Sequence, residues 1–302
     1  MSFKEKKPVG IIGLGDMGGT IASILHNNGH PLIIYNRSED AYKKFASLKD
    51  VRIAKDVKDM TTRLRRDGDI VIWLMIPGGE PTNSMVAKLA PLLRKGDIVI
   101  DGANATPVDS VKNYKLLGKS GASYLDVGCG GGPNDLAYRK MPIVVGGDRL
   151  AFNKVEDILS EISDSNCGYV GGSGAGQTVK LIHNMIFYAI GPAIAEGFAL
   201  LDGAKAKRPD IDLKTAEKLL GECMPINGEV VQAILKARDS GSLPEKPPEM
   251  KVSEMVKWGA GEFASSCGID IPVIRAVLAK FPELTADTRR IYAGAKKEIT
   301  GH

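Results

Sequence analysis

An apolar run over 9–12 ends in Gly13-Leu14-Gly15-Asp16-Met17-Gly18, and a helical stretch over 20–25 follows before the chain turns at Asn27-Asn28-Gly29. No other feature limits the fold so tightly. Each glycine of such a GxGxxG turn has its own steric task. Gly13 permits the tight turn out of the strand, Gly15 lets a pyrophosphate come up to the backbone, and Gly18 lets helix and strand pack closely. The helix N-terminus behind the turn offers unpaired N–H donors to an anion. Strand, turn and helix in this order predict the first unit of a parallel sheet that binds a dinucleotide.

Short β-rich apolar runs then alternate with segments of helical period as far as about residue 170. Strands are expected over 9–12, 32–35, 70–75, 98–101, 124–127 and 143–146, each followed by the Gly, Pro, Asn or Asp that suits a βα loop. Beyond Gly171-Gly172-Ser173-Gly174-Ala175-Gly176 the period changes. Val179, Ile182, Ile186, Ile190, Ile194 and Phe198 recur every three or four residues, which makes a long helix. Further helices are expected over 216–220, 230–236, 252–266 and 274–281, and the Pro-rich, charged stretch 240–250 reads as a surface loop. At 302 residues the chain is about twice a usual domain of roughly 150. The expected fold class is α/β: a doubly wound, mostly parallel Rossmann domain over 1–172, followed by an all-α domain over 173–302.

The end of the second strand discriminates between nicotinamide cofactors, because NAD enzymes place a carboxylate there for the ribose 2′-hydroxyl. Here it reads Tyr35-Asn36-Arg37-Ser38. Nothing in it repels a 2′-phosphate, whereas the Arg37 guanidinium, with Asn36 and the Ser38 hydroxyl, can hydrogen-bond one. NADP is the expected cofactor.

In the long helix, Lys180 and Asn184 are four residues apart and share a face, with His183 beside them. A partly desolvated lysine has its pKa lowered and can exchange a proton with a substrate hydroxyl. Asn184 can hold that hydroxyl in line. A salt-bridged lysine with a polar neighbour would look the same from spacing alone.

Several partners are excluded on composition. The 40 basic and 36 acidic residues are scattered in both signs, without the basic stripe that nucleic acid requires. The charged start, Lys4-Glu5-Lys6-Lys7, and the lack of an uncharged run near about 20 residues argue against a signal region or a membrane span, so a cytoplasmic protein is expected. Cys129, Cys167, Cys223 and Cys267 are far apart, which suggests neither a disulfide framework nor a metal site but reduced, mostly buried thiols.

The glycine turn with Met17 inside it, Met75-Ile76-Pro77, Asp101-Gly102-Ala103-Asn104 and Lys180 followed by His183-Asn184 together resemble the β-hydroxyacid dehydrogenases. Within that group the segment 179–188, Lys257-Trp258 ahead of 268–272, and the terminal Gly301-His302 resemble 6-phosphogluconate dehydrogenases. The resemblance implies that Gly13, Leu14, Gly15, Asp16, Met17, Gly18, Asn36, Arg37, Ser38, Met75 and Asn104 hold NADP. It also implies a substrate site of Asn104, Gly130, Gly131, Gly132, Lys180, His183 and Asn184. A sugar phosphate would be bound by Tyr188, Lys257, Arg289, Lys296 and His302, with Arg290 an alternative to Arg289. The tail would come from the second subunit of a homodimer.

Two positions depart from the family. Its glutamate, the general acid that protonates the enediol carbon after decarboxylation, is Phe187 here, and the serine of its carboxylate loop is Gly130. The leading expectation is oxidation of a phosphorylated 3-hydroxy acid by NADP, with 6-phosphogluconate giving ribulose 5-phosphate and carbon dioxide. A non-decarboxylating relative acting on another β-hydroxy acid or aldehyde accounts directly for Phe187 and Gly130. A protein that binds NADP and a sugar phosphate without turnover is the third reading, and Lys180 and Asn184 argue against it.

Overall fold

The computed structural model describes residues 6–130, 132, 141–222, 229–249, 252–268 and 270–300. The chain divides into two compact units, Met1–Lys180 and Leu181–His302.

The first unit is an eight-stranded sheet built from β1 (Val9–Ile12), β2 (Leu32–Tyr35), β3 (Val51–Ile53), β4 (Val71–Leu74), β5 (Ile98–Asp101), β6 (Ser123–Cys129), β7 (Ile143–Gly147) and β8 (Cys167–Gly171). Their order across the sheet is β3-β2-β1-β4-β5-β6-β7-β8. The first six are parallel, β7 runs antiparallel to β6, and β8 returns parallel to β7. The strand order reverses direction at β1, so its carboxyl end with the glycine turn opens onto the crevice where doubly wound folds bind ligands.

Helices α1 (Asp16–Asn27), α2 (Val57–Leu64), α3 (Glu80–Leu89), α4 (Pro107–Gly118) and α5 (Arg149–Ser163) connect the strands. Strands covered on both faces read as nearly continuous apolar runs. Val9, Ile11, Ile34, Trp73, Ile100, Tyr124 and Val145 are all buried accordingly.

All six expected strands are present. β3 and β8 add two that the sequence did not announce. In β3 only Val51 of three residues is buried, the mark of a short edge strand. β8 carries two glycines in five residues and buries none of them fully, so neither alternation nor an apolar run marks it.

The second unit has helices and no strand among its described residues. It begins within α6 (Ala175–Lys207), a 33-residue helix with Pro192 inside it. After it come α7 (Leu213–Glu222), α8 (Glu229–Asp239), α9 (Glu254–Trp258, continued by a π turn over Gly259–Phe263), α10 (Pro272–Lys280) and α11 (Ala286–Thr300). One face of α6, with Leu181, Met185, Ala195 and Phe198, packs among Val231, Ile234, Val256, Phe281, Ile291 and Tyr292.

The apolar period that predicted α6 has a second component. Val179, Ile182, Ile186 and Ile190 form another stripe, and each is 40–49% exposed. By length and hydropathy (mean 1.4) α6 could cross a membrane, yet it carries Lys180 and Glu196 along with its packed face.

The described cysteines are free, and only Cys129 is buried; Cys167 is half-buried and Cys267 exposed, which corrects the expectation of mostly buried thiols. Cys267 falls at a helix end, before Gly268 in a left-handed conformation. Cys223 lies outside the described residues.

Candidate active site

The turn after β1 shows why its glycines are required. Gly13 has φ +96°, and a Cβ there would come within 2.2 Å of the Met75 carbonyl oxygen. A Cβ on Gly18 would stand 2.1 Å from the Gly13 oxygen. A Cβ on Gly15 would meet nothing within 4 Å. Gly15 caps α1 without any side-chain hydrogen bond, so the N–H groups of the first turn face open space, as an incoming pyrophosphate needs. The residues present therefore fit a dinucleotide.

The neighbouring strand end divides its labour. Asn36 Oδ1 accepts from the Leu14 N–H at 3.0 Å, its Nδ2 donates to the Ser38 carbonyl, and the Tyr42 hydroxyl bonds both ends of its backbone. Asn36 thus shapes the turn. Arg37 and Ser38 are exposed, and the Arg37 guanidinium has no partner among the described residues. Glu80–Leu89 is preceded by Gly78, where a Cβ would lie 2.1 Å from the Asn104 oxygen, so the loops after β4 and β5 pack backbone to backbone. Asn104 projects from between buried Ala103 and Ala105.

Below these loops lie two buried carboxylates that the sequence reading did not single out. Asp101 accepts the Ala103 N–H at 2.9 Å and a short bond from the Tyr124 hydroxyl. Asp126, its register partner on β6, accepts from the Gly174 N–H at 2.7 Å and the Gln177 N–H at 2.9 Å, capping α6 from the sheet. An aspartate at the end of one apolar strand and within another was the available signal.

Burial, offset in part by the Tyr124 hydroxyl, pushes the Asp101 carboxyl up from 3.8 to about 6. A raised folded pKa favours the protonated fold, so this contribution to stability is complete below about 4 and is lost as pH rises through about 6. Asp101→Asn cannot titrate. Its stability relative to the native chain is expected to rise by up to about 3 kcal/mol across that window in denaturant melts. A difference that stays flat would contradict the assignment.

Lys180, in the second turn of α6, is only 9% exposed, and burial lowers its pKa. It lies close against β6: a Cβ on Gly128 would be 2.6 Å from the lysine Cβ. The Cys129 thiol is a near neighbour that burial pushes up to about 11, so it brings no charge at neutral pH. Asn184 is one turn further along α6, and its Oδ1 lies 3.3 Å from His183 Nδ1. Gly130 and Gly132 follow β6, while Gly131 lies outside the described residues.

The residues matched to a sugar phosphate occupy the second unit. Tyr188 is bonded to Ser253, the N-cap of α9, and burial raises its hydroxyl pKa. Ser253 also accepts the Lys257 N–H through its carbonyl at 3.0 Å. Arg289 Nη1 donates to the Pro248 oxygen at 3.4 Å and Arg290 Nε to the Pro244 oxygen at 2.8 Å, both in the loop that leads to Ser253. Tyr188, Lys257 and the two arginines therefore border one segment. Arg289 Nε is buried without a partner among the described residues, whereas Lys257 pairs with Glu254 at 2.6 Å in the open. Lys296 is on α11, and His302 lies outside the described residues. Phe187 sits in an aromatic cluster with Tyr188 and Tyr292, each ring centroid 6.3 Å away. No proton donor stands at its own position.

Residues 8–171 match the family model described as the NAD binding domain of 6-phosphogluconate dehydrogenase. The chain is 34% identical over 205 residues to a decarboxylating 6-phosphogluconate dehydrogenase of Bacillus licheniformis, covering 65% of this chain and 43% of that protein. The chain thus spans less than half of that relative. It is 32% identical over 229 residues to an NAD(+)-dependent, decarboxylating 6-phosphogluconate dehydrogenase of Haloferax volcanii, covering 75% of this chain and 72% of that one. In fold it is similar to the 3-hydroxyisobutyrate dehydrogenase of Mycobacterium tuberculosis solved with L-serine (TM-score 0.74, 19% identity, 95% of this chain and 98% of that). With the glycine turn, the sheet order and these matches in agreement, the chain belongs to the superfamily of 6-phosphogluconate and β-hydroxyacid dehydrogenases.

Proposed function

We propose that the protein is an NADP-dependent oxidoreductase acting on the CH–OH of a phosphorylated 3-hydroxy acid, with 6-phosphogluconate as substrate and ribulose 5-phosphate and carbon dioxide as products. The observation that carries this reading is Lys180, a buried lysine with lowered pKa at the start of α6. A bound nicotinamide supplies the hydride acceptor. Neutral Lys180 takes the proton of the C3 hydroxyl as hydride leaves C3, and Asn184 orients that hydroxyl. The resulting 3-keto acid loses its C1 carboxylate as carbon dioxide, the bonding electrons pass toward the carbonyl oxygen, and the Lys180 ammonium protonates it. The enediol so formed becomes ribulose 5-phosphate when its terminal carbon takes a proton from water, since Phe187 has none to give, and Lys180 takes back the hydroxyl proton. Asn104 and the glycines after β6 face the substrate's polar groups.

A screen of 6-phosphogluconate, gluconate and 3-hydroxyisobutyrate with both nicotinamide cofactors tests the reading. Reduction of NADP by 6-phosphogluconate alone is expected. The apolar setting of Phe187 favours a second reading, a dehydrogenase that oxidises a β-hydroxy acid without decarboxylation, and turnover of 3-hydroxyisobutyrate would support that one.

NADP is favoured over NAD by the unpartnered Arg37 guanidinium beside the Ser38 hydroxyl, although the Haloferax relative is named for NAD(+). A hydrogen bond to a charged group contributes about 1.5–3 kcal/mol. Arg37→Ala is therefore expected to weaken NADP binding by about 10–100-fold and leave NAD nearly unchanged in fluorescence titrations. Equal affinity of the native protein for both cofactors would contradict the choice.

The functional unit in this reading is a homodimer. The exposed stripe of Val179, Ile182, Ile186 and Ile190 gives a second copy an apolar surface to cover, and the terminal Gly301-His302 would complete the neighbouring site.

A further inference from the structure

Gln177 lies one turn before Lys180 on α6, wholly buried, and no step above uses it. Its Nε2 donates to the Ala103 carbonyl at 2.8 Å and to the Val127 carbonyl at 2.9 Å. Both partners can only accept, so the amide nitrogen must face them. Oε1 is turned away and buried with no partner among the described residues. A leucine of similar volume would fill the space without burying an unpaired acceptor. The carboxamide is thus poorly explained by packing and well explained by what its two donors hold.

What they hold is the geometry around the lysine. The Ala103 peptide is clamped at both ends, its N–H by Asp101 and its carbonyl by Gln177, and the next residue is Asn104. Val127 precedes Gly128, the residue against which the Lys180 stem packs. The Gln177 N–H is bound by Asp126. One side chain therefore joins the loop that presents Asn104, the strand end that seats Lys180 and the helix that carries it. The charged and titratable groups around it are Asp126 at its backbone, Lys180 one turn on, Cys129 at the end of β6 and Asp101 on the adjacent strand β5.

We propose that Gln177 is a positioning residue, whose two amide N–H groups fix the spacing between the Asn104 loop and the Lys180 amine so that the amine meets the substrate hydroxyl. The proposal rests on the reading of Lys180 as the proton acceptor.

The test uses Gln177→Leu and Gln177→Glu in the full chain. Gln177→Leu is expected to lower kcat by about 10–100-fold while NADP affinity stays near native, since misplacement by about 1 Å can cost that much. Gln177→Glu can donate one hydrogen bond only when protonated. Its kcat relative to native should rise as pH falls, while the same ratio for Gln177→Leu stays flat. A readout free of turnover is acetylation of Lys180 by acetic anhydride, followed by peptide mass spectrometry across pH. Loss of the clamp should admit water and move the Lys180 profile upward, toward that of ordinary lysines. If the native chain oxidises no β-hydroxy acid, the functional reading fails and the labelling profile alone decides about Gln177. Native kcat in folded Gln177→Leu, or an unmoved labelling profile where there is no turnover, would overturn the proposal. Should Gln177→Leu not fold, a flat pH ratio for Gln177→Glu would overturn it.

Discussion

Lys180→Met is expected to lower kcat by about 10²–10⁴-fold or more, the range that a general acid or base contributes, while NADP binds with near-native affinity. The separation follows from placement. In the proposed reading the nucleotide would bind at the turn Gly13–Gly18 after β1, whereas the lysine approaches from α6 over the end of β6. The same change should stabilise the protein. Burial depresses the Lys180 pKa below the ordinary 10.5, so between the two values the unfolded chain binds more protons than the folded one. Stability then rises with pH across that window, and below it the native chain carries the cost of keeping Lys180 out of water. Methionine, similar in length and uncharged, removes it. A variant inactive yet raised in Tm at neutral pH, with the gain vanishing as pH approaches 10.5, is the expected pair of results. Loss of NADP affinity together with activity would instead make Lys180 a structural residue.

The second large effect is expected at Arg289. Among the described residues its Nε is buried with no partner, and Nη1 makes a long bond to Pro248. An anion that takes these donors forms charge-assisted bonds where water is largely excluded, so Arg289→Ala should cost about 2–5 kcal/mol in affinity for 6-phosphogluconate. Lys257→Ala should cost less. The lysine is exposed and already paired with Glu254, an i,i+3 ion pair that contributes about 0.3–0.5 kcal/mol and yields easily to a phosphate. Gluconate, which has no phosphate, should be indifferent to both changes. Calorimetric titration of the two ligands into each variant, and into a chain ending at Thr300, separates the contributions. Unaltered 6-phosphogluconate affinity in all three would remove the phosphate site, and the sugar-phosphate reading with it.

The sequence displayed the nucleotide half of the molecule because its chemistry is local. Gly13, Gly15 and Gly18 each answer a steric demand within one turn, and the six strands it marked are buried apolar runs bounded by turn residues. β3 and β8 escaped notice because edge position and glycine content erase both signals. The apolar period of α6 gave the helix but not its two faces: Leu181 and Met185 are buried, and Ile182 and Ile186 are not. Spacing cannot assign a face when both are apolar. The shared helix face of Lys180 and Asn184 follows from their spacing, whereas the groups that hold the lysine in place do not. Asp126 and Gln177 are 51 residues apart in sequence, and only the packing of α6 on β6 joins them. Asn36 was read as a ligand for the 2′-phosphate, and the structure shows its amide occupied with the glycine turn and Ser38. Residue type suggested a ligand there, and the hydrogen bonds show what the amide holds within the chain.

The measurement that bears most directly on the account is a single reaction in which the native protein, NADP and 6-phosphogluconate are mixed and NADPH and carbon dioxide are both followed. Equal amounts of the two products, formed at a rate that Lys180→Met eliminates, are expected. NADPH without carbon dioxide would contradict decarboxylation at a site with Phe187 in place of the glutamate. Absence of NADPH, with turnover of an unphosphorylated β-hydroxy acid instead, would contradict the proposed substrate.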